Sequence, residues 1–201
     1  MNRKIDKDQP ILIATHNPGK ANEFMKLFKK YSIKTLFSAD LNLEEPEETG
    51  KTFQENSELK AKSALLSNLT VVADDSGLCV DALDNQPGIY SARWAKKYGG
   101  WENSMKEIYR QLVKKKEGNL RAKYCCSLSI AWKDGYLKTY YGEIKGKINW
   151  PPKGLNGFGY DPIFIPEKFN KTFGEITKEQ KMNIDHRSKA FAKLIKNHFE
   201  K

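Results

Sequence analysis

Twice in its first 73 residues the chain passes from a short apolar run, through a polar turn, into a stretch with helical periodicity. Ile11 to Ala14 reads as a strand and Thr15-His16-Asn17-Pro18-Gly19-Lys20 as a turn, after which Phe24, Leu27, Phe28 and Tyr31 share one helix face. Ile33 to Phe37 reads as a second strand. An acidic loop, Leu41 to Lys51, follows. Thr52 with Glu55 three residues on then forms a capping box, opening a helix that runs to about Leu66 with Ala61, Ala64 and Leu65 facing inward. Val71 to Ala73 is the next strand. Alternating strands and helices favour a parallel or mixed sheet with helices packed on it.

Beyond this point Trp101, Met105, Ile108, Tyr109 and Leu112 mark an amphipathic helix. Ala122, Tyr124, Cys126, Leu128, Ile130 and Trp132 alternate strictly, as in a half-buried strand. Lys133-Asp134-Gly135 supplies a turn, and Tyr136 to Ile144 reads back as the hairpin partner. Pro151-Pro152 interrupts, a glycine-rich run follows, and a last helix over Arg187 to Phe199 carries Ala190, Phe191, Leu194 and Ile195 on one face. No internal repeat or low-complexity linker is visible. The expectation is an α/β protein with residues 1–10 as an exposed N-terminal tail and residues 11–201 as a single domain, with or without a second lobe around the long hairpin.

Composition narrows the partners. Thirty-five Lys and Arg against 25 Asp and Glu leave a formal net charge of +10, which favours anionic ligands. Three cysteines, two of them adjacent, suit neither a disulfide framework nor a spaced zinc site, so a reduced, cytoplasmic protein is expected. No stretch approaches the ~20 apolar residues of a membrane span, and the first ten residues are too polar for a signal peptide.

Five segments carry chemistry. Val71-Val72-Ala73-Asp74-Asp75-Ser76-Gly77 reads as a buried strand with a polar exit, and two adjacent acids there repel each other unless a lysine cluster or a divalent metal compensates them. The turn at Asn17, Gly19 and Lys20 stands between a strand and a helix, where backbone N–H groups and the helix dipole favour anions and where Asn and Gly tolerate unusual φ. On the next helix Asn56 and Lys60, four apart, share a face that is either a phosphate contact or plain solvated surface, and Glu47 and Glu48 upstream could join Asp75 around magnesium. Gly154 to Pro162 sets Phe158 and Tyr160 among three glycines, with Asp161 beside them, as a loop for a flat base or as a turn with core aromatics. Lys181 with His186-Arg187, and Arg93 further upstream, supply cations near a helix start or else lie on the surface.

Together these segments resemble one family. Thr-His-Asn-Pro-Gly-Lys with Glu23, Glu-Thr-Gly-Lys-Thr-Phe-Gln-Glu-Asn with Lys60, Ala-Asp-Asp-Ser-Gly-Leu, Pro-Gly-Ile-Tyr-Ser-Ala-Arg, Phe-Gly-Tyr-Asp-Pro-Ile-Phe and His-Arg-x-x-Ala stand in the order seen in inosine triphosphate pyrophosphatases, over about Ile11 to Phe199. The departures are His16, where many members have a small or amide residue, and Asp185, where the family usually has serine. The resemblance implies an elongated, two-lobed α/β fold around a mixed sheet, with an active-site cleft between the lobes and a homodimeric assembly. It implies Mg²⁺-dependent hydrolysis of ITP, dITP and XTP between the α- and β-phosphates, giving the monophosphate and pyrophosphate. Carried over by position, Thr15, His16, Asn17, Pro18, Gly19 and Lys20 line the phosphate side with Lys60. Asp75 is the general base and a metal contact, with Glu47 or Glu48 as the second metal carboxylate, and Ser76 touches substrate. Phe158, Gly159, Tyr160, Asp161, Lys181, His186 and Arg187 hold the base and its surroundings.

The expected partner is therefore a small nucleoside triphosphate, not nucleic acid and not a membrane. Two other readings compete: a pyrophosphatase for other modified nucleotides, and a non-catalytic basic nucleic-acid-binding protein whose affinity would fall steeply with salt. Acids inside the very motifs that would meet phosphate make sense with a metal and little sense without one.

Overall fold

The alternation of apolar runs and helical faces assembles into a single mixed sheet. In a computed structural model describing residues 3–116 and 118–199, the strands are β1 (Ile11–Ile13), β2 (Thr35–Phe37), β3 (Thr70–Val80), β4 (Arg121–Ala131), β5 (Leu137–Ile148) and β6 (Phe164–Pro166). Among the described residues they pair in the order β2-β1-β3-β4-β5-β6. β1 is parallel to β2 and to β3, with Ile13 opposite Phe37 and Val72, whereas β5 and β6 are antiparallel. The helices are α1 (Pro18–Lys29), α2 (Phe53–Ser63), α3 (Ser91–Lys97), α4 (Trp101–Lys115), α5 (Lys178–Met182) and α6 (His186–His198).

Two compact units share the chain. The first takes the described residues up to Asp75, then Cys126–Gly142, then those from Arg187 onward; the second takes Ser76–Cys125 and Glu143–His186. Each has its own apolar core. In the first, Leu12, Ala61, Ala64, Val71, Ala73 and Ala131 pack together with Leu36, Leu43 and Leu65 against them. Phe28 on α1 meets Phe191 on α6 edge to face at 4.8 Å. In the second, Leu78, Val80, Ile108, Ile148, Ile163, Phe164 and Phe173 form the centre, with Trp94, Trp101 and Trp150 at its margin. Fully burying side chains of this size contributes ~1.5–3 kcal/mol each.

Three local readings change. β3 does not end at the acids: Asp74 and Asp75 lie inside an 11-residue strand, 1% and 4% exposed. β4 is buried on both faces, not one: every residue from Tyr124 to Ala131 is buried, the polar-looking alternates Ser127 and Ser129 included. The capping box is half formed. Thr52 accepts from the Glu55 N–H at 3.1 Å, but the Glu55 carboxylate reaches one residue further back and accepts from the Lys51 N–H at 2.7 Å.

The N-terminal segment is mostly exposed but touches the first unit at Arg3 and Ile5. Ile5 is buried and its N–H donates to the His198 carbonyl at 2.8 Å, while the Arg3 guanidinium pairs with Asp134 and lies over the Trp132 and Tyr136 rings. One apolar residue at the right register is enough to anchor such a segment, and no composition argument shows it. Among the described residues, no helix is long and apolar enough to cross a membrane.

Candidate active site

In the first unit the site is built around the two acids of β3. α1 starts at Asn17, whose side-chain oxygen accepts from the N–H groups of Gly19 and Lys20 at 2.9 and 3.1 Å, with Pro18 in the first turn. The turn needs no unusual φ, for Asn17 has φ −85° and Gly19 is helical, and the N–H groups of Gly19 and Lys20 are bonded to the cap. Thr15, buried, accepts from the Asn17 N–H at 3.2 Å. What the turn delivers is the Lys20 ammonium, 3.2 Å from Asp74 Oδ2. His16 points elsewhere, its Nε2 2.9 Å from the Leu43 carbonyl and its Nδ1 3.7 Å from Glu45, at a cavity of about 320 Å³ that Lys60 also lines.

Asp74 also meets Arg187. The guanidinium approaches Asp74 Oδ2 through Nη2 at 3.2 Å and Nε at 3.4 Å, and through Nη1 it pairs with Glu23 on α1. Arg187 is 1% exposed, and its guanidinium lies 5.6 Å from the centre of the Phe24 ring. The resemblance places it with His186 around the base; its guanidinium lies against Asp74 and Glu23. A guanidinium so deep is held only because two carboxylates meet its fork.

α2 presents Asn56 and Lys60 to the same acids. Asn56 donates to Asp75 Oδ2 at 2.9 Å and accepts from the Gly50 N–H at 2.8 Å; Lys60 pairs with Glu48 at 2.5 Å. Both side chains are buried, so this helix face is not solvated surface. A polar chain pins α2 in place: Ser57 shares a hydrogen bond with Ser129, Ser129 with Thr139, and Thr139 donates to Glu58. Burial first, then Glu48, raises the Asp75 carboxyl to about 6 against the pull of Lys60, Lys20 and Asn56. For Lys60 burial acts to lower the pKa, but Asp75, Asp74 and Glu48 outweigh it and the net shift is upward.

The metal question turns on this set. No group of three or more His, Cys, Asp or Glu able to hold a metal occurs among the described residues. Glu48 is the upstream acid whose charge bears on Asp75, whereas Glu47 is exposed. Two carboxylates fit Mg²⁺, which takes one or two protein acids and fills its octahedron with water and substrate phosphate oxygens. A carboxyl raised to about 6 by burial is also one that a cation would relieve.

The second unit assembles the other candidates. Gly157 has φ +77° and a Cβ there would lie 2.0 Å from Asp161 Oδ2, so the loop folds back on that carboxylate. Asp161 accepts from the Phe158 N–H at 2.8 Å and from the Lys181 ammonium at 2.7 Å, both partners of the ion pair being 4% exposed or less. Lys181 sits 4.6 Å from the centre of the Phe158 ring. His186 stacks on Tyr124 at 4.8 Å with the rings 8° apart. Burial, then Asp161, hold the Tyr124 phenol well above its usual range. Tyr160 lies in the core, its hydroxyl bonded to Ser104 at 2.6 Å and its ring edge-on to Trp101. Gly159 has φ +65° and Ser76 is half-buried in β3. Asp185 is buried, and its N–H closes the turn after α5 on the Lys181 carbonyl at 3.0 Å. Arg93 is exposed, its guanidinium 5.1 Å from the Tyr90 ring centre.

Sequence reasoning passed over two participants. Glu23 was read only as part of a motif, and Gly50 only as part of the acidic loop Leu41 to Lys51. Glu23 lies one turn of helix from Lys20, a spacing that does place both on one face; nothing local marks Gly50 as the donor that orients Asn56.

Comparison with known proteins gives consistent results. A model of the Ham1 family matches residues 11–197. A dITP/XTP pyrophosphatase of Zymomonas mobilis subsp. mobilis is 42% identical over 187 residues, covering 92% of this chain and 90% of that protein. One from Rhodopseudomonas palustris is 43% identical over 195 residues, covering 92% and 93%. Among solved structures, a HAM1 protein from Coxiella burnetii superposes with a TM-score of 0.85 at 31% identity, over 92% of this chain and 96% of that one. The Staphylococcus aureus Ham1 protein gives 0.81 at 39% identity over the same shares.

Proposed function

Since the chain belongs to the Ham1 family, we propose that it hydrolyses deaminated purine nucleoside triphosphates, ITP, dITP and XTP, to the monophosphate and pyrophosphate. The observation that carries this reading is the cluster on β3: two buried acids met by Lys20, Lys60 and Arg187, a set able to face both phosphate oxygens and a cation.

Lys20 and Lys60 neutralise the triphosphate, which water cannot otherwise approach. Asp75 holds the attacking water and takes its proton. Mg²⁺, carried by Asp75 and Glu48, would supply further charge neutralisation at the phosphoryl oxygens. Asp74, between Lys20 and Arg187, keeps Lys20 placed. In the second unit Phe158 offers its ring to the base, and Lys181 and His186 supply donors for the 6-oxo group, with Asp161 fixing Lys181. Adenine carries an amine there and leaves such donors unpaired, a mismatch that can discriminate by up to ~10⁴–10⁵-fold. The protein acts as a homodimer in the cytoplasm, where its buried free cysteines stay reduced.

The test is pyrophosphate release from ITP, dITP, XTP, GTP and ATP with and without Mg²⁺. Fast release from the first three, dependent on Mg²⁺, with ATP nearly inert is expected. Release from GTP and ATP as fast as from ITP would overturn the selectivity, and no release at all would overturn the activity.

A further inference from the structure

Within the second unit a cavity of about 690 Å³ opens beside β4, β5 and β6. Arg121 and Lys123 on β4, and Lys145 and Lys147 on β5, line it together with Lys168 in the turn after β6. Its acids are Asp81 and Glu167 alone, so cations outnumber them five to two. Residues two apart on a strand share a face, and Lys123 pairs with Glu143 across the two strands at 3.8 Å, which sets both pairs of cations on one face. Like charges gathered on neighbouring strands destabilise a sheet. Among the described residues Arg121, Lys145, Lys147 and Lys168 form no ion pair that would offset this. Lys168 has φ +71°, uncommon for a side chain other than Gly, Asn or Asp. Phe169 beside it leaves 44% of its surface exposed at the rim.

We infer that this face is a second anion site, taking a chain of condensed phosphates, either inorganic or the tail of a nucleotide. A volume of this size matches a nucleotide-sized ligand. Unpaired cations on a sheet face suit a ligand that brings several charges at once and releases the counterions they hold. Phe169 gives a base a surface to stack on if one is attached.

Tripolyphosphate is titrated calorimetrically into the wild type and into the Lys145→Glu/Lys147→Glu variant, whose altered residues are exposed. The variant is expected to lose one equivalent of binding per chain, or to bind it at least tenfold more weakly. Its melting temperature and ITP hydrolysis rate should stay unchanged. Unchanged stoichiometry and affinity would overturn the site and leave the lysines as plain solvated surface charges. A lost equivalent accompanied by a change in oligomeric mass would overturn it too, making the face a contact between copies. So would a 12-nucleotide single strand that binds tenfold tighter than tripolyphosphate and is released by the same variant. Repeating the titration with α,β-methylene ATP on Phe169→Ala separates the two sources. Weakening confined to the nucleotide assigns the site to nucleotides, and no change for either ligand assigns it to the phosphate chain alone.

Discussion

Asp75 is 4% exposed, accepts from Asn56 and faces Lys60, yet its carboxyl is raised to about 6 because burial outweighs those partners. A folded pKa above the ordinary 3.8 means the native state binds the proton more tightly than the unfolded chain. The contribution to stability is full below about pH 4 and is lost as pH rises through about 6. Asp75→Asn should therefore abolish turnover and, in metal-free buffer at pH 8, raise unfolding stability by up to about 3 kcal/mol, a gain that shrinks toward pH 4. Denaturant titrations of both proteins at the two pH values check this; a variant that is inactive and also less stable would remove the strain argument. Lys181 behaves in the opposite sense. It and Asp161 are a buried pair, so Lys181→Met strands a carboxylate and should cost about 3–5 kcal/mol. A melting temperature within a degree of the wild type would show that Asp161 is relieved some other way.

At the scale of elements, β3 does two jobs along its length. Its first half carries the acids, and its second half threads the core of the other unit through Leu78 and Val80. Gly77 marks the change. A Cβ there would lie 2.2 Å from the Gly88 carbonyl oxygen and 2.5 Å from Ser91 Oγ, the hydroxyl that accepts from the Leu78 N–H and donates to the Gly88 carbonyl. Gly77→Ala should cost at least the ~1–3 kcal/mol of an overpacked core, read from its denaturation midpoint; a neutral effect would mean the 88–91 turn yields freely. The Ser-Gly after the acids reads in the sequence as a strand exit, because Gly usually breaks strands. Its actual reason, a neighbouring backbone, lies eleven residues away in the chain. Helix α2 was legible in the same partial way. Its cap and length follow from Thr52 and its apolar spacing, but Asn56 and Lys60 look like solvated surface until Ser57, Ser129 and Thr139 show which way the helix is turned.

Over the whole molecule, the acids, lysines and arginine of the first unit place about as much positive as negative charge out of water. Such networks cost desolvation and seldom add net stability, so their retention points to function. Removing divalent metal with EDTA should stop hydrolysis, and adding Mg²⁺ back should restore it. Mg²⁺ with a non-hydrolysable ITP analogue at a hundred times Kd should stabilise the fold by about 2.7 kcal/mol, visible as a raised melting temperature. Activity that survives exhaustive chelation would remove the metal from the mechanism. Light scattering checks the dimer.

Periodicity and turn chemistry were enough to mark most strands and helices, because each of those signals is local: apolar spacing, a cap three residues from its partner, a Lys-Asp-Gly turn. The motifs in their order were enough to indicate the family. Tertiary structure alone decided that β4 is buried on both faces, that Ile5 anchors the N-terminal segment, that Glu48 and not Glu47 bears on Asp75, and that Arg187 turns to Asp74 and Glu23. Those outcomes depend on residues up to 193 positions apart, as for Ile5 and His198, being brought within hydrogen-bond reach. Burial and charge compensation are properties of that meeting, not of either residue in its own stretch of chain.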